Sequence, residues 1–140
     1  MKKILSPLLI LAIAAIASAG VETSYSIPED FQGTWVLNST STDKKTLHKE
    51  EAGTVIGTVY AAKIILASGE QVQIHRIVSL KKIGKQQTDL LTLVVFESGV
   101  VWSISSFKQN IRGVAMVIVY QNETKLKAGQ ESSRLIVEIH

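Results

Sequence analysis

The sequence predicts an all-β domain of about eight antiparallel strands, carried behind a cleaved export signal. Three observations lead there. Apolar and β-branched runs recur at strand length. The breaks between them carry Gly, Asn or Ser where the chain must reverse. The connections are short, which favours antiparallel neighbours, because a parallel pair needs a long crossover. Consecutive hairpins make a meander, and a meander of this size closes most simply into an up-and-down barrel without exposed edges. A sandwich of two sheets is the alternative.

The first segment, "MKKILSPLLILAIAAIASAG", stands apart from the fold. Lys2 and Lys3 precede an apolar run over 4–16 that only Ser6 and Pro7 interrupt, and Ala17-Ser18-Ala19 offers the small residues of a signal-peptidase site. Residues 1–19 read as a secretory signal cleaved after Ala19, since the run is short for about 30 Å of hydrocarbon. The product is exported, to the periplasm or beyond, and the Lys-Lys start reads as bacterial. A mature chain of 20–140 fits one domain. Loss of Lys2 and Lys3 takes the 15 basic side chains to 13 against 12 acidic ones, so the high pI gives no argument for nucleic acid. Cysteine is absent. That excludes disulfides, thiolate metal sites, cysteine nucleophiles and the lipidated cysteine of a lipoprotein.

The elements follow in order. Residues 20–30, "GVETSYSIPED", form an N-terminal arm that ends in a short helical turn, and the single domain spans 31–140. The first strand begins at Gly33 in "FQGTWVLN". The polar run "STDKKTLHKEEAG", 41–53, reads as a surface turn or short helix, with Thr42 or Asp43 to cap it and Gly53 to end it. "TVIGTVYAAKIIL", 54–66, reads as one long strand; "ASGE" then turns the chain into "QVQIHRIVSL", 71–80. Next come "DLLTLVVFE", "VVWSISSF" and "IRGVAMVIVY", at 89–97, 100–107 and 111–120. "TKLK" supplies a short run, and "SSRLIVEI" is the last strand.

A period of two assigns the faces. Val72, Ile74, Val78 and Leu80 share one face of their strand, and Arg76 falls among them. Two explanations are open for this arginine. A β-bulge shifts the register and returns it to solvent, or it lies in a cavity, where a buried guanidinium needs a partner such as a ligand carboxylate. Val100, Trp102 and Ile104 share a face, with Val101, Ser103 and Ser105 opposite; 114–120 is apolar on both faces.

"FQGTWVLNSTSTD", preceded by "IPED", resembles the start of the calycin families, the lipocalins, intracellular fatty-acid-binding proteins and related small bacterial barrels. Those families place a short helical turn before Gly-x-Trp on the first strand, matched here by Gly33 and Trp35. The resemblance implies a closed barrel in which Trp35 packs at the closed end. It also implies that a basic residue of the last strand, Arg134 here, crosses the tryptophan ring as a cation–π pair. The second lipocalin motif, Thr-Asp-Tyr, is absent. So is the Arg-x-Tyr pair that grips a fatty acid, since Leu135 and Ile136 follow Arg134. The resemblance therefore carries the architecture and not that ligand site.

No metal spacing joins His48, His75 and His140, and no phosphate loop, G-x-S-x-G or H-E-x-x-H is present. The expected function is non-enzymatic, without a cofactor. A barrel of this size holds one small apolar or amphipathic ligand or fills its interior with side chains. Tyr60, Arg76, Trp102 and Tyr120 are the candidates for lining it. The alternative is a protein-interaction module, such as an inhibitor of a secreted enzyme, acting through the 20–30 arm. In either case the mature protein does not span a membrane.

Overall fold

A computed structural model describes residues 21–41, 52–83, 88–106 and 113–140. The signal segment and most of the polar run after the first strand, 42–51, lie outside the described residues. The architecture is all-β. Ten strands form one antiparallel sheet, curled as a half-barrel: β1 Val21–Ser24, β2 Gly33–Ser41, β3 Val55–Val59, β4 Ile64–Leu66, β5 Gln71–Val72, β6 Ile74–Ile83, β7 Thr88–Phe96, β8 Val101–Ser106, β9 Val114–Tyr120 and β10 Ser133–Ile139. Their order across the sheet is β1-β6-β7-β8-β9-β10-β2-β3-β4-β5. Among the described residues the strands make one curled sheet and not the two stacked sheets of a sandwich.

The difference from eight strands has local causes. The arm contributes β1, which pairs antiparallel with the 79–82 stretch of β6. The run 54–66 breaks at a tight turn, closed by the Tyr60 amide donating to the Lys63 carbonyl at 2.8 Å. That turn, "YAAK", has none of the Gly, Pro or Asn that mark a reversal in sequence. The run 71–80 is interrupted at Gln73, giving β5 and β6.

"TKLK" is no strand. It lies in a six-residue helix, α1, Glu123–Ala128. The Asn122 side chain accepts the Lys125 amide at 2.9 Å, which satisfies a donor that a helix start leaves unpaired. Gly129, at φ 69°, ends the helix in the left-handed conformation that glycine tolerates best. Leu126 alone is buried on it. It packs with Leu93, Val95, Val101 and Tyr120, so α1 covers the convex face of β7, β8 and β9.

The main core lies on the concave face. Register fixes its membership: Ile77 opposes Val94, Val94 opposes Trp102, and Trp102 opposes Val119. These pack with Trp35, Phe31, Ile27, Val117 and Val137. Glu29–Phe31 makes a single 3-10 turn whose Phe31 is buried. The turn sits over Trp35, whose indole Nε1 donates to the Phe31 carbonyl at 2.7 Å. The Gln32 side chain reinforces it by donating to the Ile27 carbonyl at 2.8 Å. Gly33 begins β2 at φ 133°, and a Cβ there would stand 2.6 Å from the His140 carbonyl oxygen. No other residue type suits both demands. The result is a clasp that joins the start of β2 to the end of β10: the Thr34 amide donates to the His140 carbonyl, and the His140 amide donates back to the Thr34 carbonyl, each at 2.9 Å.

Candidate functional site

The four proposed lining residues do not converge. Trp102 alone faces the concavity. It stacks on Trp35, with ring centroids 5.9 Å apart and planes at 22°, and takes the Phe96 ring edge-on at 4.8 Å. Trp35 is fully buried and Trp102 half-buried, so the stack runs from the core towards accessible surface. Beyond it the concave face continues as a half-buried apolar band through Val72, Ile74, Val100, Val119 and Leu135.

Arg76 is on the other side of the wall. The β6–β7 register slips between Ile74 and Arg76, because His75 is an extra residue with no partner. Ile74 opposes Phe96 on the concave face; after the bulge it is Arg76 that opposes Val95 on the convex face. The bulge explanation for this arginine holds and the cavity explanation falls. Arg76 is exposed and pairs with Glu123 at the first turn of α1. The slip also inverts the faces expected downstream. Ile77 and Ser79 point inward, while Val78 and Leu80 take the convex side.

Tyr120 belongs to the convex cluster under α1. Burial raises its phenol pKa above the usual 10.0; Glu131 adds to the rise and Arg134 opposes it. Tyr60 is 42% exposed at the β3–β4 turn, with the Lys63 ammonium 5.0 Å from its ring centroid. Neither borders the concavity.

The pairing of Arg134 with Trp35 is also corrected. On β10, Arg134 is level with Ser41, at the far end of β2, whereas Ile139 is the partner of Trp35. Arg134 Nε instead donates to both carboxylate oxygens of Glu131, at 2.8 and 2.9 Å. This hydrogen bond raises the guanidinium pKa further. Glu131 lies three residues before Arg134, so local geometry satisfies this arginine before a distant ring can. The contact made by Trp35 is another indole, Trp102, which the sequence put on the correct face without joining the two.

A second feature went unread in the sequence. A cleft of about 460 Å³ lies between the arm and the β6–β7 wall; Glu22, Ser24 and Asp30 form one bank, and Ser79, Lys81 and Leu90 the other. Its buried lining residues are Ser79 and Leu90. Ser79 Oγ lies 2.8 Å from Thr92 Oγ1 behind it and donates to the Ser26 carbonyl at 2.7 Å. The misassigned face of Ser79 hid this site. Elsewhere, His75 lies 3.8 Å from Glu97 and His140 3.5 Å from Glu138, both exposed. Among the described residues no three His, Cys, Asp or Glu side chains are grouped as metal ligands. No helix among them is long and apolar enough to cross a membrane. No protein-family model, curated protein or solved structure matches the chain.

Proposed function

We propose that this chain is an exported, calycin-like barrel that holds a small apolar or amphipathic ligand on its concave face and catalyses no reaction. The observation that carries the reading is the half-buried apolar band of Ile74, Trp102, Val119 and Leu135, continuous with the Trp35–Trp102 stack. Water-exposed apolar surface inside a curved wall is where an apolar ligand gains most from leaving water.

Two features support a closed, eight-stave barrel. The 3-10 turn before Gly33 and Trp35 has the order that the calycin resemblance implies, and Phe31 sits on the indole. Furthermore, β5 and β6 are consecutive pieces of one segment, 71–83, separated only by Gln73. That segment pairs with β4 through its start and with β7 through the rest. Counted as one stave, it joins the two ends of the meander. Residues 1–19 act as the signal that takes the chain out of the cytoplasm.

Native mass spectrometry of the protein recovered from the exported fraction tests the reading. A retained mass of a few hundred daltons, on the order expected for a pocket ligand, supports it. Absence of such a mass, together with failure to take up an apolar dye, counts against it. The interaction-module reading has one observation in its favour: Tyr25 and Tyr60 are exposed, and the two segments meet where the Ile27 amide donates to the Ala61 carbonyl at 2.8 Å. Exposed tyrosines are common anchors of protein interfaces. A co-purifying protein mass in the same spectrum favours that reading.

A further inference from the structure

We infer that β1 is a releasable flap over a side entrance to the concave interior. The inference begins with strand pairing along the 71–83 segment. One edge of that segment lies against β7. The opposite edge is held by β4 only at Gln71–Val72 and by β1 only at Ser79–Lys82. Among the described residues, the stretch between has no strand partner on that edge. The arm covers this gap. The Ser26 carbonyl accepts from Ser79 Oγ on one bank, and the Ile27 amide donates to Ala61 on the other. Ile27 and Phe31, both buried in the main core, hold the rear of the arm firmly.

The front of the arm is held differently. β1 has four residue pairs with β6 and, among the described residues, no strand on its outer side. Glu22, Ser24 and Tyr25 are exposed, Tyr25 to 71%, so releasing β1 uncovers little apolar surface of its own. The hydroxyl of Thr23 is buried without a hydrogen-bond partner among the described residues, which weakens the seated state. Beneath β1 lies the cleft, and its walls already reach the core: Leu90 lines the cleft and packs with Ile77 and Val94. With β1 lifted at Tyr25, the cleft wall of Ser79 and Leu90 opens sideways while the Ile27–Phe31 plug stays in place. This motion is the access route for the ligand of the proposed function and so rests on that reading, but the motion itself is measurable without any ligand.

The absence of cysteine allows a clean test. Thr23 and Leu80 are directly opposed. Antiparallel partners have Cα atoms about 4.5–5.5 Å apart, within the span of a disulfide. Thr23→Cys with Leu80→Cys locks β1 when oxidised and frees it when reduced. Acrylamide quenching of tryptophan emission should be severalfold weaker in the oxidised form, and reduction should restore it. In the unmodified protein, hydrogen exchange should show the amides of 21–24 exchanging at least about tenfold faster than those joining β7 to β8, because the flap opens without global unfolding. Equal quenching in the two redox forms overturns the flap. So does equal protection of β1 and β8, a readout that stands even where the double variant does not fold. Normal flap behaviour with no dye uptake in either redox form would instead remove the ligand-binding reading and leave the flap standing.

Discussion

Trp35 is the residue on which the concave core depends. Its ring is fully buried, its Nε1 is satisfied by the Phe31 carbonyl, and Trp102 stacks on it. Trp35→Ala removes the largest buried side chain and leaves a void that Phe31 and Trp102 cannot both fill, so a loss of about 3–5 kcal/mol is expected in urea unfolding. A loss under about 1 kcal/mol would mean that the stack is ornamental. Arg134→Ala gives a sharper contrast. Because Arg134 bonds Glu131 and sits at the other end of β2 from Trp35, the substitution should leave the tryptophan emission spectrum unchanged. A cation lying over the ring would shift that spectrum on removal. Tyr120 makes a pH prediction. Its folded pKa is raised above the unfolded value near 10, so the folded state holds the phenol proton more tightly. Stability from this group is fully present below pH 10 and falls as the pH rises through the folded value. Tyr120→Phe should flatten that alkaline decline in a series of unfolding curves. An unchanged slope would place the phenol in water.

At the scale of elements, α1 shows how a short segment escapes a pattern-based reading. "TKLK" has too few residues for a helical period to emerge, and Leu126 is its one buried side chain. The signal lay outside the run, in Asn122 before it and Gly129 after it, a cap and a stop that specify a helix by backbone satisfaction. Asn122→Ala should cost about 1 kcal/mol by leaving the Lys125 amide unpaired. It should also loosen the Arg76–Glu123 pair, which Asn122→Ser would preserve. Comparison of the two variants by thermal unfolding checks the cap. The same logic explains which strands were legible. Those at 89–97, 100–107 and 111–120 alternate or saturate with β-branched residues and are followed by Gly or Asn; β8 and β9 lie within the last two, and β7 starts one residue before the first. The breaks at 60–63 and at Gln73 lack turn residues, because backbone pairing rather than residue type sets them. The faces of β8 were readable from period two. Those of β6 were not, since a bulge is written in the partner strand's register and not in the bulged sequence. Little of the candidate site was legible: of the four residues named, Trp102 alone lies on the concave face, and Arg76, Tyr60 and Tyr120 lie elsewhere.

The whole molecule depends on that bulge. The bulge at His75 decides which side of the sheet receives each side chain of β6. With it present, Ile74, Ile77 and Ser79 all face inward, and Arg76, Val78 and Leu80 face outward. Ser79 can then meet Thr92 and hold Ser26, which seats the arm. Arg76 can reach Glu123, which ties α1 to the convex wall. Core, arm and helix are thus coupled through a single insertion in the ladder. Deleting His75 leaves Ile74 and Arg76 adjacent in the chain, opposite Phe96 and Val95 as before, so every side chain of β6 keeps its face. That deletion should stay within about 1 kcal/mol of the parent, because it removes only an exposed residue that has no partner in the ladder. Deleting Val78 instead takes a residue out of the unbroken ladder. Either Ser79 turns outward and leaves Thr92 and Ser26, or Ile77 leaves the concave core while Arg76 enters it with no partner. A loss of at least about 3 kcal/mol is expected, comparable with breaking a buried charge pair. Thermal and urea unfolding of the two deletions side by side measures the contrast. Equal stability would show that the register of β6, and with it the assignment of the concave face, is not the one set by the bulge.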